Sequence, residues 1–298
     1  MISVIIPVYK KREMFLRNLE HNLKYLKGTE VIIVNDYPGE SLKTYLKGKR
    51  VILIENKVNL GFGGAVNTGV KRASNEFVVL LNSDVILHDD GFQQVLSYFK
   101  KGNKLFGVSF AQKEKSGIIV GKNSIYWKNG FLHHKKAGDI KPGFNAWAEG
   151  GTCILDRNKF LALGGFDEIY SPFYWEDIDL SYRAWKKGYE ILFEPRVLVE
   201  HHHESTIRTY FTPIHVKKIA YRNQFLFVWK NIVDKDLLLN HLLLLLPNLL
   251  MQLGKGDFVF LKGFFLALGK TSQVLKSRKL QTKTFTISDS QILALFNE

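Results

Sequence analysis

Ser3-Val4-Ile5-Ile6-Pro7-Val8-Tyr9 opens the chain with a short β-branched run ending at proline and tyrosine, and its reading decides the fold. Apolar residues sit at consecutive positions, so both faces of such a strand need cover. Glu30 to Val34, Val51 to Ile54 and Phe77 to Leu81 are three more strand-like runs. Between the first two, Phe15, Leu16, Leu19, Leu23 and Leu26 recur at helical spacing until Gly28 gives a stop signal. Gly61 to Ala73 fills the interval before the fourth run. Strands apolar on both faces and separated by helical segments imply a parallel sheet covered on both sides, with ligands beyond the carboxyl ends of its strands.

The polar residues after each strand therefore deserve the closest reading. Strand one is followed by Pro7 and Tyr9, strand two by Asn35 and Asp36, strand three by Glu55, Asn56 and the block Asn59 to Gly64, and strand four by Asn82-Ser83-Asp84. Residues 102 to 145 are irregular and carry no assignment. Ala146 to Glu204 holds a strand near Thr152, a short helix from Asp156, a helix from about Glu176 to Lys187 and a strand near Val197. From Thr212 onward the pattern is mainly helical.

The chain's 298 residues, 46% hydrophobic and 23% charged, suit a globular protein with a sizeable core. One cysteine, Cys153, excludes an internal disulfide and a cysteine-rich zinc site. Lys10, Lys11 and Arg12 follow the first apolar run instead of preceding it, the reverse of a secretion signal, so a cytoplasmic protein is expected. The net charge of +14 is uneven: Ser205 to Glu298 carries 13 Lys and Arg against 5 Asp and Glu, beside apolar runs such as Leu242 to Leu246. That pairing suits an anionic membrane surface better than nucleic acid, for which no binding motif is present. Leu237 to Leu253 contains several polar residues and falls short of a spanning helix, and Phe258 to Leu268 is shorter still. Helices lying on the membrane, a homo-oligomer interface or ordinary helical packing are the open readings. Ser288 with Gln291 forms a capping-box pattern for a last short helix.

Several groups have a chemical reading and a structural one. Gly61-Phe62-Gly63-Gly64 lacks the third glycine of a dinucleotide fingerprint, so it serves either close helix packing or close approach to a nucleotide. Asp84 could hold Mg²⁺ or Mn²⁺ against a diphosphate, or cap a turn. Asp36 could accept from a base or a ribose hydroxyl, with the same structural alternative. Glu176, Asp177 and Asp179 open a helix, where acids are favoured by the dipole alone. The preceding Phe173-Tyr174-Trp175 could nevertheless desolvate one carboxylate into a usable base, and only one of the three is expected to face a ligand. In His201-His202-His203, residues 201 and 203 share a strand face, and one could join Asp84.

In order, these blocks resemble the family 2 inverting glycosyltransferases of the GT-A fold, over roughly residues 2 to 206. The likeness rests on the opening run, Asn59 to Asn67, Leu80 to Asp84, Gly164-Gly165-Phe166-Asp167-Glu168, and Trp175 to Leu180 through Arg183 and Gly188. It is strongest to bacterial and archaeal members that build polysaccharides and lipid-linked glycans, including rhamnosyl- and galactofuranosyltransferase-like branches. The fold it implies is an α/β, Rossmann-like mixed sheet flanked by helices in residues 1–206, followed by a helical, basic region in residues 207–298.

The resemblance also implies site roles. Pro7, Tyr9 and Asp36 stand where the family holds the nucleoside, and Asn59, Gly61, Asn67, Asn82 and Ser83 join them around a UDP- or dTDP-sugar. Asn82-Ser83-Asp84 falls on the family's Asp-x-Asp with Asn at the first position, which leaves Asp84 as the main metal ligand, aided by His201 or His203. Asp177 matches the general base, and Trp175 and Glu176 flank a glycan or lipid-linked acceptor; Trp175 and Tyr174 could stack on sugar rings or simply pack in the core. The expected protein is a metal-dependent transferase at the inner face of the cell membrane. Its rivals are a sugar nucleotidyltransferase, which would need a basic glycine-rich loop after strand one, and an inactive nucleotide-sugar-binding scaffold.

Overall fold

A computed structural model describes residues 1–100, 102–201 and 209–296. Strands β1 (Ile2–Val8), β2 (Glu30–Asn35), β3 (Ile52–Glu55) and β4 (Phe77–Leu81) run parallel in the order β3-β2-β1-β4. Their alternating side chains feed two cores. Ile5, Ile32, Val34, Val78 and Leu80 face one, while Val4, Ile6, Ile33, Val79 and Leu81 face the other, which is why residues 4–6, 31–34 and 78–81 lack polar positions. Helix α1 (Arg12–Asn22) packs on the second side, and α2 (Gly61–Arg72) lies against β1 and β2 on the first.

Helix α1 ends before the expected Gly28. Asn22 is the reason: its amide donates to Val85 O at 2.9 Å and accepts from Leu87 N at 2.9 Å, tying the helix end to β5 (Val85–Leu87).

The stretch left unassigned by sequence supplies the other half of the sheet. After α3 (Leu96–Phe99), it contains β6 (Leu105–Lys113), β7 (Ile119–Val120), the hairpin of β8 (Asn123–Lys128) and β9 (Phe131–Lys136), and β10 (Gly143–Phe144). β11 (Thr152–Asp156) runs antiparallel between β4 and β6, and β12 (Glu190–His201) lies parallel to β6. The sheet is therefore mixed. Helix α4 (Arg157–Ala162) is capped by Asp156, and α5 (Glu176–Lys186) follows a tight aromatic turn.

Beyond residue 208 come α6 (Pro213–Asn231), α7 (Lys235–Gly254), α8 (Phe258–Leu268), α9 (Thr271–Gln281) and α10 (Asp289–Ala294), the last with the expected Ser288–Gln291 capping box. Phe225, Phe227 and Phe260 share one core with Phe131, Trp175 and Tyr182, so the helical region completes the first core. Charge reinforces the junction. Lys230 of α6, fully buried, reaches Asp179 Oδ1 of α5 at 2.8 Å and Asp167 Oδ2 at 2.7 Å.

Helix α7 is longer than the leucine run suggested, because Lys235, Asp236 and Gly254 extend it to 20 residues. By length and composition it could cross a membrane. Its only buried residues, His241 and Asn248, are hydrogen-bonded to Gly130 O at 2.7 Å and Asn129 O at 2.9 Å in the β8–β9 turn. That fastening lays the helix along the domain.

Candidate active site

The carboxyl ends of β1, β2 and β4 open onto a cavity of about 340 Å³, closed from the far side by the start of α5. Pro7, Tyr9, Asp36, Asn59 and Gly61 line one part of it, and Asn82, Ser83, Asp84, His201, Glu176 and Asp177 line the rest. Two of the expected residues are elsewhere. Asn67 is buried in α2, where its amide exchanges hydrogen bonds of 2.8 and 2.9 Å with the backbone of Phe166. Trp175 is 5% exposed and packs between His134, edge-on, and Phe227, tilted; the neighbouring Tyr174, 40% exposed, reaches the cavity instead. His203 lies outside the described residues.

On the β2 side, Asp36 accepts from Asn56 Nδ2 at 2.8 Å and Leu60 N at 3.0 Å, which shapes the loop entering α2. Burial raises its pKa in spite of these bonds. Asn35 is turned into its own loop, accepting from Tyr37 N at 3.1 Å. The glycine block serves packing: a Cβ on Gly61 would lie 2.8 Å from Ser171 Oγ, and one on Gly64 2.5 Å from Leu60 Cβ. Gly61 also needs its φ of +73°. Gly61 and Phe62 still reach the cavity wall.

Asp84 and His201 meet through sheet register. β5 pairs antiparallel with β12, placing Val85 opposite His201, and the preceding Asp84 Oδ1 lies 3.2 Å from His201 Nε2. Among the described residues no group of three or more His, Cys, Asp and Glu side chains forms a metal cluster. One carboxylate and one imidazole at a cavity wall nonetheless fit a small divalent cation that draws its remaining ligands from phosphate and water.

Across the cavity, α5 begins after Tyr174 and Trp175, whose φ angles of 68° and 77° are left-handed and unfavourable for large side chains. Asn223 of α6 holds this turn by donating to Tyr170 O, Phe173 O and Tyr174 O at 2.8 to 3.0 Å. The turn aims Asp177 at the cavity, where its Oδ2 accepts from Gly150 N at 3.4 Å and its Oδ1 from Ile178 N at 2.8 Å. Burial, then the charge of Glu149, pushes the Asp177 pKa up to about 6. Glu176 is raised as well, by burial and then by Asp177, and its Oε2 has no hydrogen-bond partner among the described residues. Two of the three acids thus line the cavity, where one was expected. Asp179 points the other way, into the pair with Arg183 at 2.8 Å and the bonds to Lys230.

Sequence reading missed Glu149, Gly150 and Gly151, which form the wall between the two halves. A Cβ on Gly151 would sit 2.2 Å from Asn82 Nδ2, and one on Gly150 2.7 Å from Phe62 Cε1. Two glycines directly before a buried strand were the signal for such close approach.

Glycosyl transferase family 2 matches residues 3–161, more than half of the chain. The chain belongs to that family. Among curated relatives, poly-beta-1,6-N-acetyl-D-glucosamine synthase of Staphylococcus epidermidis is 27% identical over 66% of this chain and 48% of its own length. The amylovoran biosynthesis glycosyltransferase AmsB of Erwinia amylovora is 27% identical over 67% of this chain and 69% of its own. The chain thus spans about half the length of the first relative. Among solved structures, GalNAc-T7 with UDP, GalNAc and Mn²⁺ superposes with a TM-score of 0.62 at 16% identity, covering 79% of this chain and 48% of that one. The mannosyltransferase PcManGT of Pyrobaculum calidifontis, with GDP-Man and Mn²⁺, gives 0.54 at 14% identity over 99% of this chain and 85% of that one. This family 2 glycosyltransferase has the GT-A fold.

Proposed function

We propose that the enzyme moves a sugar from a nucleoside-diphosphate donor, a UDP- or dTDP-sugar, to a hydroxyl of a glycan or lipid-linked acceptor, with inversion at the anomeric carbon. One observation carries this reading: Asp84 with His201, and Asp177 with its raised pKa, line the same cavity. Tyr9 and Pro7 offer an apolar edge to the base, and Asp36 an acceptor beside it. Asp84 and His201 would hold Mg²⁺ or Mn²⁺, which supplies charge neutralisation to the departing diphosphate. Asp177 takes the proton from the acceptor hydroxyl as that oxygen attacks opposite the leaving group. A base near pKa 6 is ionised at neutral pH yet retains appreciable proton affinity, as this step requires. Protonated Glu176 beside it presents an O–H to a sugar hydroxyl without adding a second negative charge. The names of the two curated relatives support polysaccharide assembly as the setting.

The test is Asp177→Asn. Donor binding stays near wild type while sugar transfer falls about 10² to 10⁴-fold, the contribution of a positioned base. Wild-type transfer by this variant would refute the assignment.

The same enzyme docks on an anionic membrane surface. Leu239, Leu242, Leu243, Leu246, Leu250 and Leu253 form an exposed stripe on α7, with Phe258, Phe265 and Leu275 exposed on the helices that follow. The basic surplus of residues 205–298 complements acidic headgroups. Cosedimentation with phosphatidylglycerol vesicles, weakened by Leu242→Ser with Leu246→Ser, is the expected result. A concentration-dependent dimer that binds no vesicles would assign the stripe to a second copy instead.

A further inference from the structure

The imidazole beside Asp84 is held in a definite hydrogen-bond chain. His201 Nε2 faces Asp84, while its Nδ1 lies 2.6 Å from Oε1 of Gln112, a fully buried residue on the neighbouring strand β6. Gln112 Nε2 in turn donates to Glu149 Oε2, and Glu149 Oε1 accepts from Asn123 Nδ2 at 2.8 Å. The backbone N–H of Glu149 donates to Ser109 Oγ at 3.3 Å, tying its backbone to β6.

The order of donors along this chain follows from chemistry. The amide of Gln112 turns its NH₂ toward Glu149, where Nε2 donates to Oε2. The amide oxygen then faces His201, and it only accepts. Asp84 Oδ1, also an acceptor, competes from the other side at 3.2 Å, but the shorter 2.6 Å contact to the anchored Gln112 oxygen places the hydrogen on Nδ1 and leaves the lone pair of the neutral ring on Nε2.

We infer that Glu149 and Gln112 are positioning residues that fix His201 as the Nδ1–H tautomer and so present the Nε2 lone pair beside Asp84, as binding a divalent cation requires. This rests on the metal-dependent reading above. It also gives Glu149 two effects, since the same carboxylate raises Asp177 across the wall. Glu149→Gln breaks the logic without changing size: an amide at 149 both donates and accepts, so Gln112 is satisfied in either orientation and His201 loses its imposed tautomer. Gln112→Leu removes the acceptor altogether.

Histidine-selective ¹⁵N labelling reads the tautomer directly from long-range ¹⁵N–¹H correlations, in alkaline metal-free buffer, with His201→Gln assigning the resonances. Wild type is expected to show Nδ1–H at His201. Glu149→Gln and Gln112→Leu are expected to populate Nε2–H, and Mn²⁺ affinity measured by calorimetry with UDP present should drop about 10 to 100-fold, as for loss of other outer partners of metal-bound histidine. An Nε2–H ring in the wild type, or variants that keep both the Nδ1–H ring and full Mn²⁺ affinity, overturns the inference. An Nδ1–H ring in a wild-type protein that binds no Mn²⁺ even with UDP overturns instead the metal-dependent reading beneath it.

Discussion

Replacing Lys230 by Met tests whether the helical region holds α5 in place. The ammonium of Lys230 is fully buried, 2.7 Å from Asp167 and 2.8 and 2.9 Å from the two oxygens of Asp179. Burial alone would raise Asp167, yet Lys230, Ser277 and the Ile169 amide together hold its pKa at about 2. That depression of nearly two units is worth about 2 to 3 kcal/mol on the Asp167 side. Asp179 keeps Arg183, Tyr170 and Asn231, so it loses only part of its compensation.

Removing one member of a buried ion cluster commonly costs about 3 to 5 kcal/mol, and the Asp167 arithmetic falls at the lower end. For a chain of this size the midpoint of thermal unfolding should drop by on the order of 10 °C. The pH dependence supplies a second signature. In wild type the depressed Asp167 contributes stability that is present above about pH 4 and lost as pH falls toward 2. In the variant Asp167 keeps only Ser277 and the Ile169 amide against burial, its folded pKa rises, and the stability it contributes above pH 4 shrinks. Circular dichroism melts between pH 2 and 8 on the full chain read both. A midpoint within 2 °C of wild type, or a loss of stability between pH 4 and 2 as large as in wild type, would refute the reasoning.

Three further outcomes follow from the site. Sugar transfer should decline as pH falls through about 6, because protonated Asp177 no longer accepts a proton; a rate flat down to pH 4.5 in an initial-rate profile would contradict this. Asn223→Ala removes the donor shared by three carbonyls of the Tyr170 to Tyr174 turn, and should lower kcat about tenfold or more with a smaller change in donor affinity. Kinetics of a folded variant that match wild type would show that the turn holds itself. Gly151→Ala places a methyl 2.2 Å from Asn82 Nδ2 and should weaken UDP binding measured by calorimetry, whereas unchanged affinity would mean that Asn82 moves aside freely.

Much of the parallel half of the sheet was legible because β1, β2 and β4 are buried on both sides and show it as unbroken apolar runs. β6 was not. Its run includes Gly107, whose missing Cβ leaves room for Leu155 Cδ2, and Gln112, a polar residue kept in the core by Glu149 and His201. Neither feature has a strand signature without its neighbours. The site divides in the same way. Asp84 and Asp177 stand out as acids at element ends, while Glu149 is connected to them only by long-range pairing of β6, β11 and β12. Of the two readings open for Trp175, sugar stacking and core packing, the structure shows the second: at its left-handed φ of 77° the indole is buried. Asn67 misled: a polar residue in a motif block proved to be the hydrogen-bonded joint between α2 and Phe166.

The central claim is that one cavity combines a cation site at Asp84 with nucleoside-diphosphate recognition. Calorimetric titration with UDP, dTDP, GDP and ADP, each with and without Mn²⁺, tests it most directly and needs no knowledge of the acceptor. The account predicts that UDP or dTDP binds tightly only with the cation, and that Asp84→Ala abolishes the cation's effect. Binding of no nucleotide by the folded enzyme, or binding indifferent to both Mn²⁺ and Asp84, would contradict it.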